Sequence, residues 1–146
     1  MATRADGGVS PRERIERECA RQGKPAVVAA CRRLIREEPV DPSLVISMSG
    51  PGAGKFFDGK PHDDVYWFRV WGARGLLWAW DPVATDEIRT ALEDDHWRVR
   101  EMALKVVARH QLGDLLGEAG RLRRDDVPRV RAAGERALVS LTRAGA

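Results

Sequence analysis

Asp94-Asp95-His96-Trp97-Arg98-Val99-Arg100 returns as Asp125-Asp126-Val127-Pro128-Arg129-Val130-Arg131, 31 residues further along the chain. An apolar stripe precedes each copy: Ile88, Ala91 and Leu92 before the first, and Leu112, Leu115, Leu116, Ala119 and Leu122 before the second. A second stripe runs through each copy and beyond it, as Val99, Met102, Ala103, Val106 and Val107, and as Val130, Ala133, Ala137, Leu138 and Leu141. These spacings are those of helices with one buried face. Connections of a few residues set neighbouring helices antiparallel. A helix pair recurring at about 30–47 residues is the signature of a helical repeat array.

The motif has a physical reading. An aspartate can cap the following helix, the valine enters the core, and the arginine reaches the aspartate of an adjacent turn. In these residues the chain resembles the HEAT-repeat family, particularly its short bacterial type with an Asp–Asp turn followed by Val-Arg. The resemblance covers residues 84–142, extends in part over 64–83, and is absent from 1–63. It implies an interaction surface and no reaction.

An earlier copy is read at Arg69-Val70-Trp71, 29 residues before Arg98. On that register Val70, Ala73, Leu77 and Trp78 are core positions, and Trp71 interrupts the arginine ladder. The outward residues of the second helices become Glu101, Lys105, Ala132 and Arg136, with Gly72 and Leu76 upstream. Of these, Leu76, Glu101, Lys105 and Arg136 are the candidate partner-binding residues.

Upstream, Ser10-Pro11-Arg12-Glu13 forms a capping box with proline at the first helical position, and Gly23 ends that segment. Val27, Val28, Cys31, Leu34 and Ile35 form a second stripe, stopped by Pro39, and Asp41-Pro42 opens a third, short helix. Residues 49–63 hold four glycines and two prolines and read as a loop. A helix apolar almost all round is expected from about Asp64 to Trp80, covered on more than one side. The expectation is therefore all-α: a short HEAT-like α-solenoid of antiparallel helix pairs with an N-terminal helical cap. Its parts are a flexible tail at 1–9, the cap at 10–48, the loop at 49–63 and the repeats at 64–146.

Composition fits one domain. The chain has 146 residues, 43% of them hydrophobic, enough for a real core. No apolar stretch approaches the ~20 residues that span a bilayer, and Met1 to Arg14 lacks the apolar segment of a signal peptide. A cytoplasmic protein without membrane attachment is the expectation. Cys19 and Cys31 lack the close spacing of a metal knuckle and read as buried thiols. The net charge of +3 comes from 25 basic and 22 acidic residues, and all of the excess falls in 94–146, with 11 basic and 8 acidic. Nucleic acid asks for a more clustered basic face. Only four of the basic residues are lysines, which also reads as GC-rich coding.

Gly50-Pro51-Gly52-Ala53-Gly54-Lys55 suggests a phosphate loop, but Ser49 takes the place of its first glycine and Phe56 that of the magnesium-binding hydroxyl. No nucleotide site and no cofactor is expected. His96 and His110 lie on one helix some ~20 Å apart at 1.5 Å per residue, so they cannot share a metal. His62 sits beside Asp63 and Asp64 in the loop, and no Ser–His–Asp or Cys–His arrangement emerges. Neither a metal site nor catalysis is expected.

Trp67, Trp71 and Trp78 fall on one narrow helical stripe. Core packing is the favoured reading of that stripe. The alternative is an aromatic site of Trp67, Trp71, Arg74, Trp78 and Trp97, suited to stacking a base, a sugar or a cation. Trp97-Arg98-Val99-Arg100 also resembles the Trp-x-Arg-Arg helix start of HEAT-like alkylpurine DNA glycosylases, without the adjacent arginine pair. The functional expectation is a non-catalytic scaffold or adaptor that binds a protein partner through the inner face of its second helices. Nucleic-acid binding or base-lesion chemistry is the alternative, and service as a partner's subunit or chaperone the third.

Overall fold

In the computed structural model, which describes residues 8–145, the first helix begins where Ser10 caps it. The Ser10 hydroxyl accepts from Glu13 N at 3.1 Å, while Glu13 Oε1 accepts from Ser10 N at 3.3 Å. The expected tail at 1–9 falls mostly outside the described residues. Helix α1 (Pro11–Gln22) ends at Gly23, whose φ of 93° suits glycine. Helix α2 (Lys24–Ile35) buries Val27, Val28, Cys31, Leu34 and Ile35, the stripe read from the sequence. Helix α3 (Pro42–Ser49) is capped by Asp41, which accepts from Ser43 N at 2.8 Å.

The segment expected to be a loop is partly ordered as a 3₁₀ helix at Pro51–Phe57. Phe56 holds it down, with ring centroids 5.0 Å from Phe68, 5.1 Å from His62 and 5.7 Å from Trp71. Lys55, the would-be phosphate lysine, instead donates to Asp64 at 2.7 Å, across a half-exposed pair. Such pairs contribute at most about 1 kcal/mol. Lys55→Ala is therefore expected to move the melting temperature by no more than about 4 °C, and ATP with magnesium to produce no thermal shift in either protein. A saturable shift at micromolar ATP would overturn this reading.

Helix α4 (Tyr66–Gly75) is shorter than the expected 64–80. Its last turn tightens to three-residue spacing, with Leu77 N on Arg74 O at 3.0 Å and Trp78 N on Gly75 O at 3.2 Å. Then come α5 (Thr85–Ala91), α6 (Trp97–His110), α7 (Leu116–Arg121) and α8 (Pro128–Gly145), with short 3₁₀ turns before α5 and on both sides of α7. Among the described residues every regular element is a helix and there is no strand. None of the helices is long and apolar enough to cross a membrane.

Packing follows chain order. Helix α2 lies on α4, α4 on α6 and α6 on α8, while the shorter α5 and α7 cover α6 and α8 respectively. One core runs from Ile15 through Met48, Leu76, Ile88, Val99 and Val106 to Ala137. Helix α4 also meets α1, α3 and α5, so it is covered on several sides, as its composition requires.

The structure corrects the register of the first repeat. Arg69 grips Asp94 through Nε at 2.6 Å and Nη2 at 3.1 Å. Arg100 grips Asp125 the same way, at 2.8 and 3.1 Å. Arg69 is thus the counterpart of Arg100, so the first copy is Asp63-Asp64-Val65-Tyr66-Trp67-Phe68-Arg69, displaced by 31 residues and not 29. Arg69 supplies the rung of the first repeat, and Trp71 does not interrupt the ladder. The role of the aspartates is also different in detail. Asp94 Oδ1 accepts from His96 N and Asp125 Oδ1 from Val127 N, both at 2.9 Å. Each aspartate closes the turn before its helix, and His96 is the residue that caps α6.

Candidate functional site

The corrected register regroups the surface residues. Positions 74, 105 and 136 become equivalent, giving Arg74, Lys105 and Arg136 on successive helices. Lys105 and Arg136 are exposed, as expected of partner-binding residues. Leu76 and Glu101 are not. Leu76 is fully buried because it takes the place of Val107 in the next repeat, and Gly72 is buried as the counterpart of Ala103. Glu101 is buried against Arg129, whose Nε donates to its Oε2 at 3.0 Å. Ala132 is exposed, but it offers no polar group.

The proposed aromatic site divides in two. Trp67 and Trp71 stack at 6.2 Å, and Arg98 bridges Trp67 to Trp97 at the Asp–Asp end of the helices. Trp78 lies in a separate depression with Lys105 and Arg136. Arg74 belongs to neither group, since it is turned under α3, where its Nη2 makes a long 3.5 Å bond to the Ser49 carbonyl. Burial without a carboxylate there lowers its pKa, helped by the nearby Arg14 charge. All five tryptophans are partly covered, so the stripe is neither dry core nor open groove.

At the Asp–Asp end the rings and guanidinium groups interleave. His96 stacks on Tyr66 with centroids 3.5 Å apart and planes 8° apart, and Trp97 follows at 6.1 Å. The Arg98 guanidinium lies 5.3 Å from the Trp67 ring and 4.4 Å from the Trp97 ring. Arg129 lies 5.3 Å from the Trp97 ring. This is a ladder of cation–π contacts made within the chain, and its purpose is legible as cohesion between turns. From the sequence, His96 and Arg98 suggest other roles, and Tyr66 and Arg129 were not singled out. Aligning Tyr66 with Trp97 at a spacing of 31 would have found the former.

His96 has a second task. Its Nδ1 accepts from Arg98 N at 3.2 Å, which requires the neutral ring. Burial lowers its pKa, and Arg98, Arg69 and Arg100 add to this, while Asp94 opposes it. A folded pKa below the unfolded value means that the stabilisation is present above about pH 6.5 and is lost as pH falls through the folded value. The melting temperature is expected to fall as the pH drops below about 6.5, and His96→Asn, which keeps a cap without a titrating group, is expected to flatten that limb. An unchanged slope in His96→Asn would remove His96 as its source.

The other histidines and Cys31 are engaged or buried within the chain. His110 hydrogen-bonds the Leu76 carbonyl at 2.8 Å through Nε2 and stacks on Trp80 at 4.8 Å, and burial lowers its pKa. His62 sits on Asp58 at 2.9 Å. Cys31 is wholly buried and its thiol is pushed up to about 12 by desolvation, so it is inert as a nucleophile. Among the described residues no group of three or more His, Cys, Asp or Glu side chains could hold a metal ion. Compared with protein-family models, curated proteins and solved structures, the chain gives no match.

Proposed function

We propose that this chain is a non-catalytic protein-interaction scaffold, a short HEAT-type solenoid of antiparallel helix pairs closed at one end by α1–α3. The observation that carries the reading is the threefold Asp-Asp…Arg recurrence, in which Arg69 and Arg100 each bind the aspartate of the following turn. Such a ladder fixes successive helix pairs in one orientation and leaves their long helices side by side, the construction of a binding face.

Nucleic acid is the less favoured partner. The indoles at the Asp–Asp end already have arginines stacked on them, and Asp94, Asp95, Asp125 and Asp126 sit along the same edge. The experiment is capture of partners from a lysate of the source cells on the immobilised chain, beside titration with duplex and single-stranded oligonucleotides, each at low and physiological salt. Capture of one protein at stoichiometric amounts with negligible oligonucleotide binding is the expected result. Tight tryptophan quenching by DNA that survives physiological salt and disappears in Trp97→Ala would replace the scaffold with a nucleic-acid site.

A further inference from the structure

Helices α6 and α8, with the turn that follows α4, leave one strip of surface carrying a single sign of charge. Lys105 and Arg136 occupy equivalent positions on α6 and α8, both are exposed, and neither makes a hydrogen bond or ion pair among the described residues. Arg109 stands one turn beyond Lys105 and is fixed by its Nε bond to the Leu77 carbonyl at 2.6 Å. With Trp78, Leu77 and Ala108 these cations line an open depression of about 470 Å³. A second depression of about 390 Å³ continues from Arg136 to Arg143 and carries Val139, which is 43% exposed. No carboxylate lines either one.

Several arginines elsewhere on the surface are engaged within the chain. Arg32, Arg69, Arg89, Arg100 and Arg129 each hold a carboxylate of the chain. Along the strip the carboxylates are missing while an apolar floor is present. Packed helices lie about 8–10 Å apart, and residues three apart on a polyproline-II segment share one face about 9 Å apart, at about 3.1 Å per residue. Acidic side chains at that spacing can meet Lys105 and Arg136 together, with an apolar residue in the sequence between them. The aliphatic character of Leu77, Ala108 and Val139 suits such a segment better than stacked bases, which would need open aromatic faces.

We infer that this strip docks an acidic segment of a partner protein, its carboxylates on Lys105, Arg109 and Arg136 and an apolar side chain against Leu77 and Trp78. The inference rests on the scaffold reading and names the chemistry of its partner.

The probe is a fluorescein-labelled ten-residue peptide of eight glutamates and two phenylalanines, with an analogue in which glutamine replaces every glutamate. Polarisation is expected to give saturable binding of the acidic peptide, weakened at least tenfold in the analogue. Lys105→Glu with Arg136→Glu is expected to weaken it at least tenfold without changing the melting temperature. Arg121→Glu with Arg124→Glu changes the net charge equally, away from the strip, and is expected to leave binding within twofold. Absence of saturable binding, or equal loss in the two double variants, would overturn the inference. So would displacement of the peptide by a single-stranded oligonucleotide at lower concentration than by unlabelled peptide. Partner capture that persists in Lys105→Glu with Arg136→Glu would remove the strip and leave the scaffold standing, whereas loss of all capture by the unaltered chain would remove both.

Discussion

Val106→Asp is expected to leave the chain unfolded at room temperature. Val106 is fully buried on α6, among the residues that join the layers on either side. An aspartate there has no cation within the apolar layer and must either stay charged in a low-dielectric site or bind a proton. Either course costs several kcal/mol in addition to the lost valine packing. A loss above about 4 kcal/mol consumes much of the 5–15 kcal/mol that holds an ordinary domain together. Far-UV dichroism of the variant should lose its helical minimum, while Val106→Ala should fold with a lower melting temperature. A soluble Val106→Asp protein that melts with the parent would show that α6 does not bury this face.

Gly72→Val is expected to cost about 3 kcal/mol, the upper end for overpacking. A Cβ at Gly72 would stand 2.6 Å from the Cys31 carbonyl oxygen and 3.0 Å from Leu34 Cβ. The nearest of these atoms is backbone of α2, so relief requires α2 and α4 to separate. For a chain of this size the melting temperature should fall by about 6–12 °C. Gly117→Ala, on α7 with nothing within 4 Å of the added Cβ, is the control. It should stabilise by about 0.5–1 kcal/mol through helix propensity alone. Equal effects at the two sites would show that the contact between α2 and α4 is looser than these distances imply.

The helices and their buried stripes were legible because periodicity reports which face meets the core. The capping box at Ser10, the stop at Gly23, and the stripes of α2, α6 and α8 all follow from local chemistry. The first repeat was misregistered for an equally physical reason. Its helix is almost wholly apolar, so sliding it by two residues still places apolar groups inward, and the Arg-Val pair at 69–70 was a closer match by letter. What fixes the register is a tertiary bond from Arg69 to Asp94, across 25 residues, which no local pattern contains. The aspartate pair at 63–64 carries the signal, but it adjoins a glycine- and proline-rich stretch whose composition is that of a loop. The site suffered the same shift. Lys105 and Arg136 emerge on the surface because their repeats were aligned correctly, whereas Leu76 disappears into the core because its repeat was not. Glu101 was misplaced because an outward helical position can still be roofed by a neighbour, here the arm of Arg129.

The ladder also bears on how such a chain can change length. Arg100 donates to the carbonyls of its own turn, Asp94 at 2.8 Å and Asp95 at 3.1 Å, and to the carboxylate of the following turn. Arg131 repeats the two carbonyl bonds, at 2.7 Å to Asp125 and 3.2 Å to Asp126. Each unit therefore carries both halves of the junction, an acceptor at its own turn and a donor for the turn that follows. Duplicating or excising residues 94–124 as a block would hand every arginine an aspartate at the same separation, with the same turn chemistry around it. Growth and loss by whole units are then neutral with respect to the joints, and a cut at any other length breaks them.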